Sequence, residues 1–145
     1  MRHKIINDAQ ERTHALIMEA DDEVMSTLQG FCDTHQLTAA RFTAIGAFRS
    51  AMLGYFDWST KDYEKIPVDE QVEVLSLVGD VALHEGRPKL HVHVVLGKRD
   101  GSACGGHLLQ AVVRPTLEIL LVESPGYLKR TIDPESGLPL IDVGA

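Results

Sequence analysis

Residues 86–110, GRPKLHVHVVLGKRDGSACGGHLLQ, carry the pattern on which the reading of the fold turns. Leu90, Val92 and Val94 alternate with His91, His93 and Val95. Residues two apart on a strand share a face, so one side of this segment is apolar and the other presents two imidazoles side by side. GKRDG at 97–101 predicts a turn, and HLLQAVVRPTLEILLVE at 107–123 predicts an antiparallel return, read as two strands around Arg114-Pro115. His107 then comes back beside the histidine-bearing strand, with Gly105-Gly106 allowing a close backbone approach.

Outward from this segment, QVEVLSLVGDVAL (71–83) alternates like a half-buried strand, with a bend expected at Gly79. TAARFTAIGAFRSAMLGYFDWS (38–59) is rich in β-forming residues and punctuated by Gly46 and Gly54, which predicts bulges or bends in a long curved antiparallel pair. ERTHALIMEA (11–20) reads as a first strand. DDEVMSTLQGFCDTHQ (21–36) differs, because Val24, Leu28, Phe31 and His35 fall on one helical face and Asp21, Asp22 and Glu23 bring negative charge to the N-terminal end. The tail at 133–142 is turn-rich and predicts a short edge segment. One helix and about eight strands make an α+β fold with a curved, mainly antiparallel sheet, in one domain spanning 1–145.

Composition narrows the function. The 145 residues carry 14 basic and 21 acidic side chains, a formal charge of −7. Since phosphate neutralisation by Lys and Arg supplies most non-specific affinity for nucleic acid, charge argues against direct DNA binding. EGRPK (85–89) has the Gly-Arg-Pro of minor-groove binders, but Glu85 and the absence of flanking cations make it a turn entering a strand. No apolar run approaches the ~18 residues that span a bilayer, and MRHKIINDAQER lacks the core of a signal peptide, so a soluble cytoplasmic protein is expected. Cys32 and Cys104 form neither a disulfide framework nor a C-x-x-C pair. Ser102 and Ser124 lack a nucleophile-elbow context.

The chemistry therefore rests on His91, His93 and His107. Three neutral imidazoles leaving one position for water or a small ligand suit a divalent transition metal, zinc first and iron or nickel as alternatives. Plain polar-out alternation on a strand accounts for the same pattern without a metal. Glu73 and Glu118, within apolar strands, are the candidates for a general base or for a hydrogen-bond acceptor behind the histidines. The remaining histidines, His3, His14, His35 and His84, are read as surface or satisfied partly buried residues, and Tyr55 and Trp58 as sheet-end or subunit contacts.

Glu73 with LSLVG (75–79), Gly86, His91-x-His93, Gly105-Gly106-His107-Leu108 and TLEI (116–119), together with AIGAF (44–48) and LGYFD (53–57), resemble the plant and prokaryote conserved (PPC) domain. The resemblance covers residues 11–124 and leaves 125–145 as a tail. It implies an antiparallel sheet flanked by a helix, assembled as a homotrimer, with His91, His93 and His107 at the family's histidine positions, at which some prokaryotic members look able to hold a metal. Stand-alone members of the family are often labelled as candidate DNA-binding proteins, while the plant members reach DNA through AT-hooks, which this chain lacks. The expected function is a trimeric protein with a three-histidine metal or small-ligand site. The alternative is a non-enzymatic, transcription-related interaction module, or a DNA-binding protein, without metal.

Overall fold

The computed structural model describes residues 1–8 and 10–144, with residues 2–8 described as backbone only. The chain runs β1 (Arg2–Asp8), β2 (Arg12–Glu19), α1 (Val24–Thr34), β3 (Ala39–Asp57), β4 (Asp62–Val68), β5 (Val72–His84), β6 (Arg87–Gly97), β7 (Ala103–Glu123), β8 (Lys129–Ile132) and β9 (Pro139–Asp142). One helix beside a nine-stranded, mainly antiparallel sheet is the expected α+β architecture. The strand order is β1-β2-β7-β3-β5-β8-β9, with β4 on β3 and β6 joining β5 to β7. Among the described residues only the short β5–β8 contact is parallel.

Two strands are longer than the sequence reading allowed. Residues 39–57 form one 19-residue strand rather than a curved pair, and 103–123 form one 21-residue strand rather than two. Pro115, which has no N–H for a ladder, lies in a register shift: β3 pairs Gly46 with Leu117 and Phe48 with Val113, so residues 114–116 bulge and the missing donor is not needed. The Arg114–Pro115 peptide is cis. Opposite the bulge, a Cβ on Gly46 would overlap the Thr116 carbonyl oxygen, so glycine lets the two long strands bend against each other. Two strands were missed. β1 lies in a polar N-terminal stretch, and β4 (DYEKIPV) is an edge strand whose exposed residues and Pro67 hide the alternation.

The bend lets β7 serve two partners. Its residues 116–123 pair with β2 and with the first half of β3, while 103–107 pair with β6. Leu120, Thr43, Val78, His93 and His107 therefore lie in one continuous row across β7, β3, β5, β6 and β7 again. The sheet curls on itself and closes at the histidines. Inside, Leu16, Phe48, Leu53, Val92, Leu96, Leu108, Leu117 and Leu121 are fully buried, each such side chain contributing about 2 kcal/mol of apolar transfer.

Helix α1 adds Val24, Leu28, Phe31 and Cys32 to the same cluster. The Glu23 carboxylate caps it by accepting from the backbone N–H groups of Met25 and Ser26, and it also accepts from Ala111 N–H on β7, tying the helix start to the strand. Glu85 and Gly86 form the two-residue turn of the β5–β6 hairpin, both with positive φ, so GRPK enters a strand as expected. At the other end of β6, Asp100 accepts from Ser102 and Gly101 takes the left-handed conformation of a tight turn. The tail folds back as the β8–β9 hairpin. No described helix is long and apolar enough to cross a membrane.

Candidate metal centre

His91 and His93 project from the same face of β6, and His93 stands opposite His107 of β7 in register. Residue 107 can approach so closely because of the two preceding glycines. A Cβ on Gly105 would stand 2.6 Å from the Val94 carbonyl oxygen, and one on Gly106 would stand 2.9 Å from that of Gly54. β7 is thus wedged between β6 and β3 where no side chain fits. The three imidazole centroids lie 5.0, 5.4 and 5.3 Å apart, and one ligand nitrogen from each ring falls within 4.8 Å of the others.

The donor set fits a transition metal. His91 Nε2 and His93 Nε2 stand 3.1 Å apart. Two nitrogens on a tetrahedral zinc with bonds of about 2.05 Å would be roughly 3.3 Å apart, so this pair already has the required spacing, while the His107 ligand atom, within 4.8 Å of the others, has farther to swing inward. Two of the rings, His93 and His107, are biased toward the neutral form that a ligand requires. Burial, then the proximity of His91, His93 and Lys89, lowers the pKa of His107 to about 4, and burial with His91 lowers that of His93. His107 Nδ1 is buried with no hydrogen-bond partner, so the group bears a desolvation cost that a bond to a ligand would offset. The His107 ring is further held against Tyr63, with centroids 4.8 Å apart.

The carboxylate behind the site is Asp80, which the sequence reading did not single out. It faces His91 in the β5–β6 register, with Oδ2 3.6 Å from Nδ1, and its other oxygen accepts a short hydrogen bond from Arg130 of β8. Burial raises the Asp80 pKa, but His91 and Arg130 outweigh it and hold the group below the usual carboxylate range. An anion at Nδ1 favours a proton there and leaves Nε2 free to point at His93. The signal was present: a two-residue turn at 85–86 pairs 84 with 87 and hence 80 with 91.

Glu73 and Glu118 do not join the cluster; both lie on the exposed face of the sheet. His14 is fully buried against Phe31, His35 and Glu123. His84 Nδ1 lies 3.5 Å from the Arg130 carbonyl oxygen, and the side chain of His3 lies outside the described residues. Tyr55 and Trp58 are exposed, with Lys61 Nζ 3.3 Å from the Trp58 ring centre. Cys32 is buried in the core, where desolvation pushes its thiol up to about 12 and leaves it inert.

A cleft of about 300 Å³ opens beside the imidazoles, lined by His91 and His107, by Tyr63, Lys89 and Arg130, and by aliphatic side chains from α1, β6, β7 and the tail. The triad thus sits at the edge of a concave site rather than in a closed core.

The Plants and Prokaryotes Conserved (PCC) domain matches residues 6–125. A plant- and prokaryote-conserved (PPC) protein of Pyrococcus horikoshii superposes with a TM-score of 0.85 at 32% identity, over 90% of this chain and 91% of that one. A metal-containing protein of Archaeoglobus fulgidus superposes with a TM-score of 0.83 at 33% identity, over 97% and 96%. A Bacteroides thetaiotaomicron protein described as a candidate DNA-binding protein gives 0.89 at 25% identity, over 99% of both chains. No curated protein matches the sequence.

Proposed function

The chain belongs to the plants and prokaryotes conserved domain family, and from that premise we propose that it is a trimeric divalent-metal protein in which His91, His93 and His107 hold the ion, zinc first. The observation that carries the reading is the convergence of three imidazoles, one with a buried orphan nitrogen. Asp80 orients His91 from behind, Tyr63 packs on His107, and Gly105-Gly106 bring the two strands together. A divalent ion on three imidazoles keeps a coordination position for water or a small ligand, and the adjoining cleft makes ligand binding the role of the site. The metal content of the Archaeoglobus relative supports the same reading.

The DNA-binding description belongs to other members of the family. For this chain 14 basic against 21 acidic residues, a formal charge of −7, weigh against it, because phosphate neutralisation by Lys and Arg supplies most of the affinity for a duplex.

Elemental analysis of protein purified without an affinity tag or chelator tests the site. One transition-metal ion per chain is expected in the wild type and none in His91→Ala or His107→Ala. Equal content in all three proteins, or none in any after zinc addition, would sink the proposal.

A further inference from the structure

The cleft beside the imidazoles has an electrostatic character opposite to that of the molecule. In a chain with 21 acidic residues, no Asp or Glu lines it, whereas Lys89 and Arg130 do. Asp80 compensates the Arg130 charge through the terminal guanidinium nitrogen, and the Pro139 carbonyl takes a second N–H. Arg130 Nε, in a residue only 7% exposed, is buried with no acceptor. Lys89 is exposed at the rim and adds a positive charge with no ion-pair partner among those described. Tyr63, His91 and His107 line the side toward the imidazole cluster, and much of the remaining wall is aliphatic, with Met25, Leu90, Leu108, Leu109 and Leu140.

We infer that this cleft binds a small aliphatic monocarboxylate, its charged end taken by Lys89 and the orphan N–H of Arg130 and its hydrocarbon body laid against the leucines. The volume, at the small end of the roughly 300–1,000 Å³ of ligand pockets, sets the size of the ligand. A buried N–H without an acceptor is costly, and a carboxylate oxygen is the acceptor that a guanidinium recognises best. Phosphate fits less well, since one uncompensated cation and one free donor cannot match its charge and apolar walls would desolvate it. The inference deepens the metal reading, because a carboxylate beside three imidazoles also lies within reach of an ion held there, but its two protein anchors stand without one.

Isothermal titration calorimetry with pentanoate and 4-methylpentanoate, each paired with its neutral amide, tests it on zinc-loaded wild type, on EDTA-treated wild type and on Lys89→Gln. The acids are expected to bind at least about tenfold more tightly than the amides, and Lys89→Gln should remove most of that preference. Equal affinity for acid and amide, binding of neither, an unchanged preference in Lys89→Gln, or inorganic phosphate competing as well as the acids would each overturn the inference. Metal content measured on the same samples separates the two readings. Acid preference in protein that takes up no metal upholds the cleft and fails the metal site; zinc-loaded protein with no acid preference does the reverse.

Discussion

His107 is where position has been gained at the expense of charge. In the folded protein its imidazole stays neutral down to about pH 4, whereas in the unfolded chain it protonates near pH 6.5. Its contribution to stability is therefore complete above pH 6.5 and is lost as pH falls toward 4, because the unfolded state binds the proton first. In metal-free protein, urea unfolding should show a loss of about 2 kcal/mol from this residue between pH 7 and pH 5. The wild type should lose that much more than His107→Gln over the same interval, and identical pH slopes would refute the assignment. The three-histidine cluster was legible because period two puts His91 and His93 on one face and an antiparallel return brings His107 back. Asp80 was not, since its role depends on the register of a hairpin whose turn type had to be recognised first. Arg130 was still less legible: it reaches Asp80 from a tail strand with no periodic signal of its own.

At the scale of the element, the site depends on β7 and its glycines. The spacing Gly105-Gly106-His107 already suggested a close approach, and the reason is steric: β7 passes between β6 and β3 with carbonyl oxygens where Cβ atoms would stand. Gly105→Ala should destabilise the protein by roughly 2–4 kcal/mol and lower its metal content, since the strand bearing His107 must move away from β6. Gly30→Ala is the control. Gly30 lies on the exposed face of α1 with nothing within 4 Å of a built Cβ, so the substitution should stabilise by about 0.5–1 kcal/mol and leave metal uptake unchanged. Paired denaturant melts and zinc titrations check both, and a Gly105→Ala protein as stable as Gly30→Ala would remove the packing argument. The same strand shows why sequence reading split it. Pro115 is a good breaker when a ladder needs its N–H, and only the pairing with β3 reveals a bulge that does not. β4 escaped for the opposite reason: as an edge strand it needs no continuous apolar face.

At the scale of the whole molecule, the outer face of the sheet is the feature a lone chain leaves unexplained. Ile45, Leu75, Val78, Val95 and Leu120 are each 44–61% exposed on β3, β5, β6 and β7. Register places Leu120, Thr43, Val78 and His93 in one row, so this apolar surface runs up to the histidine cluster. Apolar residues so grouped on a sheet face favour burial against another chain, which gives the proposed homotrimer a physical basis beside the family resemblance. Light scattering should therefore return about three times the 16.0 kDa chain mass. Ile45→Lys combined with Leu120→Lys, which places two cations on that face, should shift the protein to monomer at micromolar concentration. All three imidazoles come from one chain, so the dissociated double variant should keep one metal per chain, with at most weaker retention. A wild type that scatters as a monomer, or a trimer indifferent to both lysines, would remove the sheet face as the assembly surface. A monomeric variant that loses its metal entirely would instead show that a neighbouring subunit completes the site, a result the geometry of His91, His93 and His107 argues against.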